Sequence, residues 1–166
     1  MTTIDLKDAE KHFEEAGERM LKAAIKGLHS AASSSVQVIT TRIVPSLTRQ
    51  PVDRGLYRAG WRAIAEKDGA TIENNEPHAA FIEYGVRGSH VKIGARMIVA
   101  LTEWVTRKGL ASGKEAVRAA WAIAKSMQRR GIFNGGSGLQ ILYTLEQKYL
   151  SNIVEEEVAR EIEKVL

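Results

Sequence analysis

The sequence predicts an α+β fold: a small, mainly antiparallel sheet packed against a long N-terminal helix and C-terminal helices, in one domain over residues 1–166. Three observations carry that prediction. Apolar residues step by three and four from Leu6 to Ala31. An Asp68-Gly69 pair separates two short extended stretches, and Leu139 to Leu166 is again amphipathic at helical spacing.

The N-terminal stripe is Leu6, Ala9, Phe13, Ala16, Met20, Ala24, Leu28 and Ala31, one apolar face of a helix that runs toward Ile43. Small residues from Ala23 to Ser35 let another backbone approach closely. Ser33-Ser34-Ser35 and the β-branched residues between Val36 and Thr41 lower helix propensity there, and Pro45 marks the helix end. Ser46 to Asp53 forms a loop between Pro45 and Pro51.

Leu56 to Glu66, with Tyr57 and Trp61, is expected to be extended. Lys67-Asp68-Gly69-Ala70 supplies the Asp-Gly pair of a tight hairpin turn, and Ala70 to Asn74 returns as a second strand. Asn75-Glu76-Pro77 turns again. His78 to Tyr84 fits a helical turn closed by Gly85, because glycine accepts the left-handed conformation at a helix end.

Val86 to Gly94 has no apolar pattern that would bury it and is expected as an exposed loop carrying Arg87, His90 and Lys92. One end is held at Gly85, so the loop is a candidate to order against a partner or a DNA channel. Ala95 to Lys108 is a helix with Met97, Leu101, Trp104 and Val105 on one face, stopped by Gly109. Lys114 to Arg130 is a second helix with Val117, Trp121, Ala124 and Met127 inward, stopped by Gly131. Asn134 to Gly138 is expected as a flexible link. In the last segment Leu142, Tyr149, Ile153, Val158, Ile162 and Val165 mark either one helix or an extended piece followed by a helix.

Composition narrows the function. Apolar residues make up 44% and charged residues 27%, a globular balance rather than a disordered one. There is no cysteine, which excludes disulfides, thiolate catalysis and cysteine-based zinc sites. The polar N-terminus lacks the apolar stretch of a signal peptide, and charged residues interrupt every apolar run before it could span a bilayer. The net charge of +4 is unevenly spread: Val86 to Arg130 holds ten Lys or Arg against two Glu, while Glu155, Glu156 and Glu157 form the densest acidic cluster. Such a basic segment faces either nucleic acid or the acidic segments of its own chain or of neighbouring subunits.

The chemistry-bearing residues make no familiar catalytic set. His78 and His90 flank Glu83, but the spacing matches no zinc signature and His-Glu-x-x-His is absent. His12 and His29 lie far apart on the first helix. Asp53, Glu73, Glu76 and Glu83 could serve a metal-dependent nuclease. Asp53, however, sits in Pro51-Val52-Asp53-Arg54-Gly55, where an aspartate ordinarily bonds backbone amides and fixes a turn. No nucleophile elbow surrounds Ser30, Ser33 or Ser89, and the glycines around Ser137 lack the Gly-Lys-Ser/Thr of a phosphate loop. Trp61, Trp104 and Trp121 fall on apolar faces, where core packing is their expected role. No cofactor is expected.

One stretch carries a resemblance. Pro51-Val52-Asp53-Arg54-Gly55-Leu56-Tyr57-Arg58 precedes the hairpin, and Asn74-Asn75-Glu76-Pro77-His78-Ala79-Ala80-Phe81-Ile82-Glu83-Tyr84-Gly85 follows it. This order and spacing resembles the tailed-phage head–tail joining, or tail-completion, family. Its members read Pro-x-Asp-Thr-Gly-x-Leu, then a hairpin, then Asn-x-x-Pro-Tyr-Ala-x-x-x-Glu-x-Gly. Arg54 stands in place of the family's Thr, His78 in place of its Tyr, and Gly138 to Leu142 in place of the Pro-Phe-Leu before its last helix. The match is close from Pro51 to Gly85 and otherwise one of layout.

The resemblance implies a non-enzymatic subunit of the virion neck, assembled in the host cytoplasm. Its partners would be further copies of itself in a ring of six or twelve, a portal or head-completion protein, and a tail-tube or tail-terminator protein. DNA would pass through with transient, sequence-neutral contact, and no membrane is involved. A tail-terminator or tail-tube-associated subunit, or a sequence-neutral nucleic-acid-binding protein, is the alternative. Pro51, Asp53, Gly55, Pro77 and Gly85 have scaffold roles in this reading: Pro51 pre-sets its φ, Asp53 accepts from amides near Gly55, Gly55 gives sharp entry into the strand, and Pro77 and Gly85 end their elements.

Overall fold

Ala23, Gly27, Ala31, Ser35, Ile39 and Ile43 recur every fourth residue, and all six are buried. That row is the inner face of the first helix in the computed structural model, which describes residues 6–48 and 55–166. Helix α1 runs Leu6–Val38, passes through a π-helical turn at Ile39–Ile43 and ends in the short α2, Val44–Ser46. Thr40 donates to the Val36 carbonyl at 2.9 Å and Thr41 to that of Gln37 at 2.7 Å, and such back-bonding loosens the ladder where the π turn forms. Pro45 cannot donate to the preceding turn, and by Leu47 the backbone is extended.

The chain forms two compact units, Met1–Glu76 with Ile141–Leu166, and Pro77–Gln140. In the first unit, short α3 (Leu56–Ala59) leads into the antiparallel hairpin β1 (Trp61–Glu66) and β2 (Gly69–Asn74), with Trp61 opposite Asn74 and Glu66 opposite Gly69. Lys67 and Asp68 make the connection, so the expected Asp-Gly turn is shifted by one residue and Gly69 already pairs. The hairpin packs on α1, and His29 Nε2 lies 2.9 Å from the Glu66 carbonyl oxygen.

The chain's last segment is one continuous helical run: α8 (Ile141–Leu145), a π turn at Glu146–Leu150, and α9 (Ser151–Glu163). It lies along α1. The approach is close enough that a Cβ on Gly27 would stand 2.6 Å from Val158 Cα, which accounts for a glycine inside a helix that otherwise disfavours it. At the other end α8 meets the π turn, and Ile39, Ile43, Val44, Ile141 and Leu145 are buried. The expected α+β architecture is thus present, with a two-stranded sheet.

The second unit contains α4 (Ala79–Tyr84), a 3-10 turn at Gly88–His90, α5 (Ala95–Arg107), α6 (Gly113–Arg130) and the single turn α7 (Phe133–Gly136). α5 and α6 form a helical hairpin around Ile98, Ala120 and Ala124, with Ile93, Met97 and Leu101 packed on them. Gly109 ends α5 at φ +68° and Gly131 ends α6 at φ +77°, both as expected of helix-stopping glycines.

The inner faces of α6 and α1 depart from the sequence expectation in different ways. On α6 the buried row is Ala116, Ala120 and the expected Ala124, and Val117 and Trp121 stand outside it. There small side chains let the helix axes approach closely, and that packing outweighed placing the largest apolar side chains inward. On α1 the buried row starts at Ala23 and includes the expected Ala31, but no residue from Glu10 to Lys22 is buried on any face, so Phe13, Met20 and Leu21 are exposed.

Candidate functional site

The stretch from Gly55 to Gly85 divides between the two units. Gly55 takes φ +79°, ψ −7° and starts α3, a helical turn where an extended chain was expected. The turn forms because Tyr57 must point inward: it is buried, and its ring meets Trp61 edge-on at 5.9 Å. Gly60 then lets the chain cross β2, since a Cβ there would stand 2.6 Å from Asn74 Oδ1. Asn74 ties this corner together. Its Nδ2 donates to the Tyr57 carbonyl at 2.8 Å, and its Oδ1 accepts from the Glu76 N–H at 3.0 Å. Gly55 thus gives entry to a helical turn, with β1 starting six residues later at Trp61. Pro51, Asp53 and Arg54 lie outside the described residues.

In the second unit Pro77 and His78 are exposed and His78 precedes α4, as expected of a turn that starts a helix. Gly85 closes α4 by donating to the Phe81 carbonyl at 2.9 Å. Its φ +70°, ψ 177° is a conformation essentially confined to glycine. A Cβ on Gly85 would stand 2.5 Å from Gly138 N, and one on Gly138 would stand 1.9 Å from the Glu83 carbonyl oxygen. Leu139 and Gln140 donate backbone bonds to Ile82 and Glu83 at 2.8 and 3.2 Å. The glycines expected to form a flexible link therefore make a closely packed joint with the end of α4. Glycine-rich composition signals both, and only the partner strand of backbone distinguishes them.

The segment after Gly85 also differs from a loop with nothing to bury. Val86 and Ile132 exchange two backbone hydrogen bonds, at 3.1 and 2.8 Å. Val91 is 6% exposed, and Gln128 Nε2 donates to its carbonyl at 3.3 Å. A Cβ on Gly88 would stand 2.4 Å from the Gln128 carbonyl oxygen. Arg87, His90 and Lys92 are nevertheless all exposed, so a pinned backbone presents three basic side chains to solvent.

Among the described residues no three His, Asp or Glu come together in a way that could hold a metal ion. His78 and His90 are exposed, Glu83 is buried at the end of α4, and Glu73 pairs across the hairpin with Arg62. A polar cleft of about 270 Å³ lies between α1 and α9, lined by Ser34, Gln37, Thr41, Arg42, Glu156 and Glu157. Its Glu157 already accepts from Ser34 at 2.8 Å and pairs with Arg160 at 2.7 Å, so that carboxylate is committed to holding the helices.

Sequence reasoning missed one ionic cluster. Glu161 of α9 is buried and meets Lys26 of α1 at 2.8 Å and Lys164 on its own helix. The Lys164 and Lys26 ammonium groups hold the Glu161 carboxyl below the usual carboxylate range. The spacing of Glu161 and Lys164 was visible in the chain, but the third member lies 135 residues away from Glu161 (161 − 26). No family model, curated protein or solved structure matches this chain.

Proposed function

We propose that the chain is a non-enzymatic subunit of the neck of a tailed phage or prophage, forming a ring that joins the head connector to the tail and lets DNA pass. The observation that carries this reading is the ordered series Gly55, Asn74, Pro77, Ala79, Glu83 and Gly85 around a hairpin, in the arrangement of the head–tail joining family. Its members have architectural roles in this fold: Gly55 starts a turn, Asn74 clamps a corner, and Gly85 packs against Gly138. Residues so used give a fixed shape, which is what a ring subunit needs.

In this role the chain contacts other copies of itself, a portal or head-completion protein, and a tail-tube or tail-terminator protein. Arg87, His90 and Lys92 face a partner or the DNA channel, where their contact with phosphate is independent of sequence. Deleting the gene from its phage or prophage tests the reading. Lysates should then contain DNA-filled heads and separate tails that fail to join. Intact, infectious particles from the deletion would remove the neck assignment.

A further inference from the structure

Helices α1 and α6 each leave an apolar strip exposed, and one charged border of each is opposite in sign to that of the other. On α1 no residue from Glu10 to Lys22 is buried; Phe13 is 78% and Leu21 63% exposed, with Met20 beside them. Glu10, Glu14 and Glu18 follow one edge of that strip at four-residue steps, about 6 Å apart. On α6 Val117 is 42% and Trp121 45% exposed. Lys114, Arg118, Lys125 and Arg129 follow one edge of this strip, all exposed.

We propose that the α1 strip of one copy docks on the α6 strip of the next copy, apolar side chains against each other and the Glu10/Glu14/Glu18 edge against the Lys114/Arg118/Lys125/Arg129 edge. Paired antiparallel with its twin, either strip would bring like-charged edges together, which costs several kcal/mol across an interface, whereas α1 against α6 brings opposite charges together. The pairing is therefore head-to-tail. A heterologous contact of this kind leaves one free strip at each end and propagates, closing into a ring where the rotation between copies permits.

The orientation follows from helix geometry. At about 100° per residue, the charged edge lies on the same rotational side of the apolar strip in both helices. Two such helices bring their charged edges together only when they run antiparallel. Trp121 is the natural anchor, a large aromatic flanked along the edge by Arg118 and Lys125. A nucleic acid would use the cations of α6 but would leave the acid-edged strip of α1 uncovered. A second copy satisfies both. The proposal deepens the ring reading and rests on it for closure of the ring, whereas the contact itself stands on the two strips.

Charge reversal tests it. E10K/E14K/E18K gives a chain whose two edges are both basic, and K114E/R118E/K125E/R129E gives one whose edges are both acidic. Each alone should associate on the order of tenfold or more weaker than the native chain, and an equimolar mixture should recover association, because every α1 edge then meets an opposite α6 edge. Association is read by sedimentation and by short bismaleimide cross-linking between a G17C chain and a V117C chain, with each substitution also placed in the charge-reversed backgrounds. Gly17 suits this, since a Cβ there meets nothing within 4 Å. All substituted positions are exposed, and an unchanged melting temperature certifies the fold of each variant. Recovery only in the mixture supports the contact. Equal cross-linking in every combination, or no cross-link between native-charge chains at any concentration, would overturn it. A trapped contact in a protein absent from virion necks would keep this interface and remove the neck. A neck protein with no trapped contact would do the reverse.

Discussion

At the residue scale the glycines carry the most specific claims. Gly85 and Gly138 face each other across a gap that admits no side chain, and Gly85 holds a conformation that other residues avoid. Gly85→Ala and Gly138→Ala should each cost roughly 2 kcal/mol or more, from backbone strain together with displaced neighbours. Thermal or denaturant unfolding measures this, and unchanged midpoints for both would show that the joint does not hold the second unit together. Gly85 was legible in the sequence as a helix stop. Gly138 was not, because its constraint comes from the Glu83 carbonyl and nothing adjacent in the chain announces it.

At the element scale α1 and α9 are joined by small-residue packing and by the Lys26–Glu161–Lys164 cluster. Because the Glu161 carboxyl is held below its ordinary range, its contribution is present above the unfolded-state value and is lost as pH falls through the lowered folded-state value. Stability should therefore fall on the acid side of the ordinary carboxylate range, and Glu161→Gln should flatten that part of the profile while lowering stability near neutrality. Melting temperature against pH for both chains checks this; parallel profiles would show that the cluster contributes nothing to folding. The pinned segment between Gly85 and Gly94 gives a second element-scale test. R87A/H90A/K92A removes only exposed side chains and should leave melting unchanged while reducing head–tail joining. Replacing Arg87 to Lys92 with two glycines should instead lower the melting temperature, since Val91 is buried and Gly88 is wedged against Gln128. Full joining by the triple variant would make the segment a packing element alone.

Across the whole molecule, long-period features and the inner face of α5 read well from the chain, while the faces of α1 and α6 read only in part. The run of α1, the hairpin around Asp68, the stops at Gly85, Gly109 and Gly131, and the last amphipathic run all have local causes: periodicity, turn chemistry and glycine caps. The inward faces of α1 and α6 depend on which neighbour each helix meets. On α6 Ala116, Ala120 and Ala124 prevailed over Trp121 because close helix approach needs small side chains on the contact line. On α1 the stretch from Glu10 to Lys22 buries no residue and leaves Phe13, Met20 and Leu21 exposed. These two apolar strips with charged edges supply the proposed contact between copies. Among the described residues, Asn74 and Gly60 hold the Gly55 corner.

Electron microscopy of particles assembled with a small tag fused to the chain's C-terminus is the decisive measurement for the proposed neck role. Tagged density is expected in a closed ring of six or twelve copies on the particle axis, between portal and tail tube. Tagged density in the capsid lattice, or virions with no tag at the neck, would contradict it.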